Sequence, residues 1–286
     1  MVFVSSRAAD PDRNYGNNLW RVPATPADGP AEPEPLTNDD DVKGQPAYSP
    51  DGRYIAYLSA DDGVYGINRL TVIPAAGGEP EFPAAALDRW VRDFRFSADS
   101  RWIYLNYDQE GGTHLARVRL RDGRLERLVE GDRVVSGMDL ADDGTLVVRL
   151  NGANDAADIY RVRGGRVERL TSMNDEFFAT RQLGAREKVR YTLDDGTMVE
   201  AFVTLPPDFE PGRRYPTILN IHGGPVGQFS WGYSSRTQMF ATSGYVVVEP
   251  NPRGSTGRRP GFRACHLPHL GHHGIPRRRR RGGSRH

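Results

Sequence analysis

The stretch "PAYSPDGRYIAYLSA" (Pro46–Ala60) returns twice, as "DFRFSADSRWIYLNY" (Asp93–Tyr107) and "GMDLADDGTLVVRLN" (Gly137–Asn151). Each copy reads as an apolar-alternating strand, a tight turn, and a second alternating strand. Asp51, Asp99 and Asp143 mark the turns, 48 and 44 residues apart. Aspartate suits that place because its side chain bonds nearby backbone, and the glycine beside it takes positive φ without steric cost.

Working outward, a second hairpin pattern fills the intervals: "NLWRVPATPADGPAEPEPLT", "RLTVIPAAGGEP", "LARVRLRDGRLERLV" and "IYRVRGGRVERLT". One period therefore holds four short strands. A lone four-stranded unit leaves its faces bare, whereas units set side by side around an axis cover one another, which is the logic of a β-propeller. A β-sandwich with coincidental spacing is the alternative. The opening "MVFVSSR" reads as the second strand of a hairpin whose first strand is missing. The expectation is a partial propeller of about four blades over residues 1–171, incomplete on its N-terminal side.

The pattern changes after Thr171. Residues 172–186 read as a linker with one helical turn. "KVRYTLDDGTMVEAFVTL" is a hairpin around Asp195-Gly196. "PTILNI" is a short continuous apolar run, expected to be buried on both faces. "SSRTQMFATSG" predicts a short helix ending at Gly244, and "YVVVEPN" the next buried strand. Strand, loop, helix and strand open an α/β fold, predicted over 187–257.

Composition narrows the class. No apolar run approaches the ~18 residues of a membrane span. The first 257 residues hold no cysteine, which fits a reducing cytoplasm. Residues 258–286 carry nine arginines and no acid, so a chain with net charge +1 has a body at −8. The same segment holds Cys265 and five of the seven histidines.

"YPTILNIHGGPVGQ" followed by "FATSGYVVVEPNPRGSTG", preceded by the "SPDG" repeats, resembles the prolyl oligopeptidase family, in its bacterial acylaminoacyl-peptidase and dipeptidyl-aminopeptidase branch. The "SPDG" units also resemble blades of TolB-like propellers. The match covers residues 1–257. The resemblance implies a cytoplasmic serine hydrolase of oligopeptides working through an acyl-enzyme, without metal or cofactor, with the propeller filtering access. It also implies an oxyanion-hole loop at His222, Gly223 and Gly224, with the Gly224 N–H as the donor and the other two shaping the loop. Losing such a donor typically costs ~2.7–4 kcal/mol of transition-state stabilisation.

The rest of that chemistry is not readable. It needs a Ser nucleophile, a His base and an Asp, and the nucleophile of an α/β-hydrolase sits in a G-x-S-x-G elbow. No such elbow occurs. Ser230 is one residue out of register, and Ser234, Ser235 and Ser255 lack the flanking glycines. All three triad residues are expected to be absent and the chain to be inactive as written. His114, inside a repeat, is expected to be a surface residue. A non-catalytic propeller binding module is the rival reading, and residues 187–257 weigh against it.

Three readings of 258–286 stand side by side. A basic arm would bind nucleic acid, against repulsion from the acidic body. A metal site would draw on Cys265, His266, His269, His272 and His273, in an order matching no familiar zinc spacing. A shifted reading frame in a GC-rich gene yields Arg, Gly, Pro and His while losing acidic codons. The third is the expectation, so neither nucleic acid nor membrane is expected as a partner. With the strands that should follow absent, "PTILNI" is expected to present an unpaired apolar edge.

Overall fold

The computed structural model describes residues 1–7, 16–25, 29, 31–64, 66–223 and 226–258. The chain begins as an antiparallel sheet of β1 (Val2–Ser5), β2 (Asn18–Arg21) and β3 (Glu34–Pro35). A second follows with β4 (Val42–Tyr48), β5 (Tyr54–Val64) and β6 (Arg69–Pro74). Next come the antiparallel β7 (Val91–Phe96), β8 (Trp102–Gln109), β9 (Gly112–Arg119) and β10 (Leu125–Val129). Then come β11 (Val134–Leu140), β12 (Leu146–Asn151), β13 (Asp158–Arg163) and β14 (Arg166–Arg169). One parallel pairing, Val134 with Thr113, joins these last two sets.

Two of the three repeated turns share one serine-centred hydrogen-bond pattern, and in the third, where Ala141 replaces the serine, Asp143 Oδ1 accepts from Thr145 N at 2.8 Å. Ser49 Oγ donates to Asp51 Oδ1 at 2.6 Å and accepts from Tyr54 N at 3.0 Å. Ser97 does the same with Asp99 at 2.6 Å and Trp102 N at 2.9 Å. The next position has positive φ each time: Gly52 at 72°, Ser100 at 57° and Gly144 at 82°. Ser100 accepts that backbone for a reason beyond its own turn, since its Oγ takes a bond from Asp51 N at 3.1 Å and links two successive repeats.

Burial follows from pleat alternation. Ile103, Leu105 and Tyr107 on one face of β8 pack with Ala56, Leu58, Leu70 and Val72 of the preceding sheet. Tyr104, on the other face, packs against a core shared with the following set, built on Leu115 of β9 with Val135 and Val148 of β11 and β12. The second strand expected in "RLTVIPAAGGEP" shrinks to a single bridge, Val72 with Glu81. Pro80 and Pro83, which lack N–H donors, flank that bridge and stop it growing into a ladder.

After α1 (Asp175–Ala179) comes a mixed sheet: β15 (Arg186–Thr192), β16 (Met198–Thr204), β17 (Thr217–Leu219) and β18 (Val246–Asn251), with α2 (Ser235–Thr242) crossing from β17 to β18. The order is β15-β16-β18-β17, antiparallel except for the β17–β18 pair. Asp195 Oδ1 accepts from Thr197 N at 3.0 Å in the β15–β16 turn. Ser234 caps α2 by accepting from Thr237 N, and Gly244 at φ 90° ends it.

One expectation fails here. "PTILNI" is not buried on both faces: Leu219 is 61% and Ile221 66% exposed. The reason is topological. β17 pairs only with β18, so it is the edge of this sheet among the described residues. The expected apolar edge is present for the same reason.

Candidate functional site

His222 and residues 226–232 lie against the segment 251–257 at the end of β18. Asn251, buried, grips Phe229 from both sides of its peptide: Oδ1 accepts from Phe229 N at 2.7 Å and Nδ2 donates to Phe229 O at 2.9 Å. Thr256 N donates to Gly227 O at 2.8 Å. His222 Nε2 lies 3.0 Å from Ser255 Oγ, and its ring meets Phe229 edge-on at 5.4 Å. His222 Nδ1 lies 3.0 Å from the Gly223 carbonyl. Gly224 lies outside the described residues. So does 259–286, with the frame, metal and arginine readings placed there.

Both segments are also fastened to the β8–β9 turn. Trp231 N donates to Gly111 O at 2.8 Å, and Glu110 N to Gly257 O at 3.0 Å. Gly111, at φ 78°, sits under Phe202, and a Cβ there would come 2.5 Å from the ring. That close approach needs glycine.

Beneath the turn is a wholly buried carboxylate, Asp108. Arg92 forks onto it at 2.6 and 2.7 Å, Thr113 Oγ1 donates at 3.0 Å, and Thr256 Oγ1 donates at 3.0 Å from the other side of the joint. Burial works against the Arg92 charge, but Asp108 outweighs it and holds the guanidinium above its ordinary value.

A second buried pair lies in the mixed sheet, where Arg186 donates to Glu249 at 2.7 Å. Arg186 also donates to Ser230 O at 3.0 Å and Thr204 Oγ1 at 3.0 Å. Glu249 accepts from Asn220 at 2.7 Å and Thr237 at 3.0 Å. Burial pulls the Arg186 guanidinium below its usual value, against the opposing Glu249 charge. A third carboxylate, Glu200, is met by Arg258 at 2.9 Å and Arg190 at 3.3 Å.

Two cavities open where the repeat sheets face these loops. One of about 510 Å³ is lined by Arg92, Asn106, Thr113 and Gln228. The other, about 410 Å³, is lined by Arg149, Phe229, Ser230 and Arg236.

His114 corrects an expectation. It is buried, with Nε2 3.0 Å from Gly131 O and its ring edge-on to Tyr107 at 5.6 Å. Its place on β9 faces the core, which spacing within one repeat did not reveal. Ser255 is also fully buried, and its hydroxyl donates to Pro252 O at 2.7 Å. Neither Asp108 nor Arg186 stood out in the sequence. The one signal was an acid closing the apolar run of "WIYLNYD". Among the described residues no cluster of His, Cys, Asp or Glu could hold a metal ion, and no helix is long and apolar enough to cross a membrane.

No protein-family model matches this chain. Dipeptidyl-peptidase 5 of Porphyromonas gingivalis is 30% identical over 219 residues, spanning 74% of this chain and 32% of that one. Dipeptidyl-peptidase 5 of Aspergillus fumigatus is 27% identical over 276 residues, 90% of this chain and 38% of that one. The chain thus spans about a third of the length of the curated relatives it matches. Among solved structures, an acylaminoacyl peptidase of Pyrococcus horikoshii superposes with a TM-score of 0.76 at 20% identity, covering 92% of this chain and 40% of that one.

Proposed function

Because this chain belongs to the prolyl oligopeptidase family, we propose that it carries the access propeller and the oxyanion side of a serine-peptidase site for short peptides. The four consecutive antiparallel sets, within 1–171, are the blades. The mixed sheet, within 187–257, is the opening of the α/β-hydrolase domain, and 172–186 links them.

The observation that carries this reading is the lacing of His222 and residues 226–232 to 251–257. A peptide N–H stabilises a developing oxyanion well only if it is aimed beforehand, so that no reorganisation accompanies reaction. Asn251 on Phe229, Thr256 on Gly227 and Ser255 on His222 fix described residues on both sides of Gly224 in the sequence. The Gly224 N–H is the oxyanion donor. The Asp108 cluster extends that fixation to the repeat sheets, so the cavities at the joint keep their shape. Acyl transfer of this kind uses no metal or cofactor.

The chain binds peptides without cleaving them. No G-x-S-x-G elbow is present, and Ser255 beside His222 cannot serve in its place. It is closed to a substrate carbonyl, its proton is held by Pro252 O, and the far nitrogen of His222 faces a carbonyl rather than a carboxylate. The test is release of p-nitroaniline from a peptidyl-p-nitroanilide by the purified 286-residue chain. None above the buffer rate is expected. Turnover abolished by Ser255→Ala would replace this reading with one in which Ser255 attacks.

A further inference from the structure

We propose that the cavity between β12 and the start of α2 binds a carboxylate of the peptide through Arg149 and Arg236. The inference deepens the peptide reading above and rests on it.

The two arginines come from opposite sides of the joint and line the same 410 Å³ cavity. Arg149 Nε donates to Ser136 Oγ at 2.8 Å, and Arg236 Nη2 donates to Asn220 Oδ1 at 3.3 Å. Among the described residues neither has an acid within ion-pair distance. Four arginines elsewhere in the repeat sheets do have one: Arg53 pairs with Asp51, Arg101 with Asp99, Arg119 with Asp122 and Arg161 with Glu168. The one acid on the cavity wall, Glu249, is already neutralised by Arg186. The wall therefore keeps an excess of positive charge within a body whose net charge is −8.

A second feature points the same way. Arg236 stands in the first turn of α2, which contains no acid. The N-terminal end of a helix carries roughly half a positive charge and attracts anions. Guanidinium forks match the planar, two-oxygen geometry of a carboxylate. Phe229 lines this cavity and touches His222, so an anion held here lies close to the oxyanion loop. The source is either the C-terminal carboxylate of a short peptide or an acidic side chain near the cleavage point.

Calorimetry at low ionic strength on the full 286-residue chain decides the matter with three probes. They are acetyl-trialanine as the free acid, its C-terminal amide, and the amide with Asp as last residue. The free acid is expected to bind about tenfold tighter than the plain amide, the scale of one added charge-assisted contact. Arg149→Gln and Arg236→Gln should each remove that advantage and leave amide binding unchanged. If the Asp amide gains as well, the site accepts either carboxylate; if it does not, the site reads the C-terminus. Acid and amide binding equally to the unaltered chain would overturn the anion site and leave the peptide reading standing. Binding of none of the three would overturn both. The acid–amide comparison needs no variant, so a misfolded mutant cannot blur it.

Discussion

Ile103 in β8 and Leu219 in β17 are both aliphatic residues of apolar strands, yet Ile103 is wholly buried and Leu219 is 61% exposed. The difference is in what stands beside each strand. β8 has β7 on one side, β9 on the other, and the preceding sheet across one face. β17 has β18 on one side only. Repeated units are covered by neighbours close in sequence, so each added unit completes the last. The mixed sheet is built by crossover, and coverage of an edge strand there depends on a segment distant in sequence. Side-chain chemistry being equal, order within the sheet decides burial.

Substitutions can break or sharpen that contrast. The largest expected effect is at Ile103, where Ile103→Ala should cost about 3 kcal/mol in urea unfolding, because a filled core position cannot collapse around the lost atoms. Leu219→Ala should stay within about 0.5 kcal/mol in the same measurement, as surface changes do. Equal costs would end the comparison. Next is Asp108→Ala, which strands Arg92, Thr113 and Thr256 at the joint. The expected loss is about 3 kcal/mol, at the low end for a broken buried ion pair because Arg92 is half exposed. Two separate unfolding transitions in this variant would show that Asp108 couples the two regions.

A smaller effect, about 1 kcal/mol, is expected for Ser97→Ala, which removes one turn hydroxyl that both donates and accepts. If it proves silent, the shared turn network holds nothing together. The smallest effect is a pH dependence. Asp51 is held down to about 2, first by the Ser49 hydroxyl and then by the Arg53 backbone N–H. A carboxylate lowered on folding contributes its stability above its unfolded value, near 3.9, and loses it as pH falls towards 2. The urea midpoint should therefore drop over that window. Asp51→Asn should flatten part of the drop, leaving the share from Asp99, Asp122, Asp143, Asp158 and Asp195, whose carboxyls are lowered in the same direction.

Much of the fold was legible. The Asp51, Asp99 and Asp143 turns, the Asp195-Gly196 hairpin and the helix ending at Gly244 all follow from backbone preferences acting over a few residues. Two sites misled. "PTILNI" has the composition of a central strand, and composition does not record how many partners a strand obtains. His114 has the polarity of a surface residue, and its burial depends on Gly131 offering a carbonyl from another loop. Of the candidate site, resemblance pointed to His222, Gly223 and Gly224, whereas the contacts that Asn251, Ser255 and Thr256 make with His222, Gly227 and Phe229 left no mark in local spacing.

The sequence alone determined the period of the repeats, the places where the chain turns, and the charge split between body and tail, because each of these depends on neighbours within a few bonds or on counting. Tertiary structure alone decided that Thr256 would reach Asp108 across 148 positions, and that Arg149 and Arg236 would share one cavity. Such meetings are settled by how whole sheets pack, since the free energy of a contact depends on separation in space and carries no mark in local spacing.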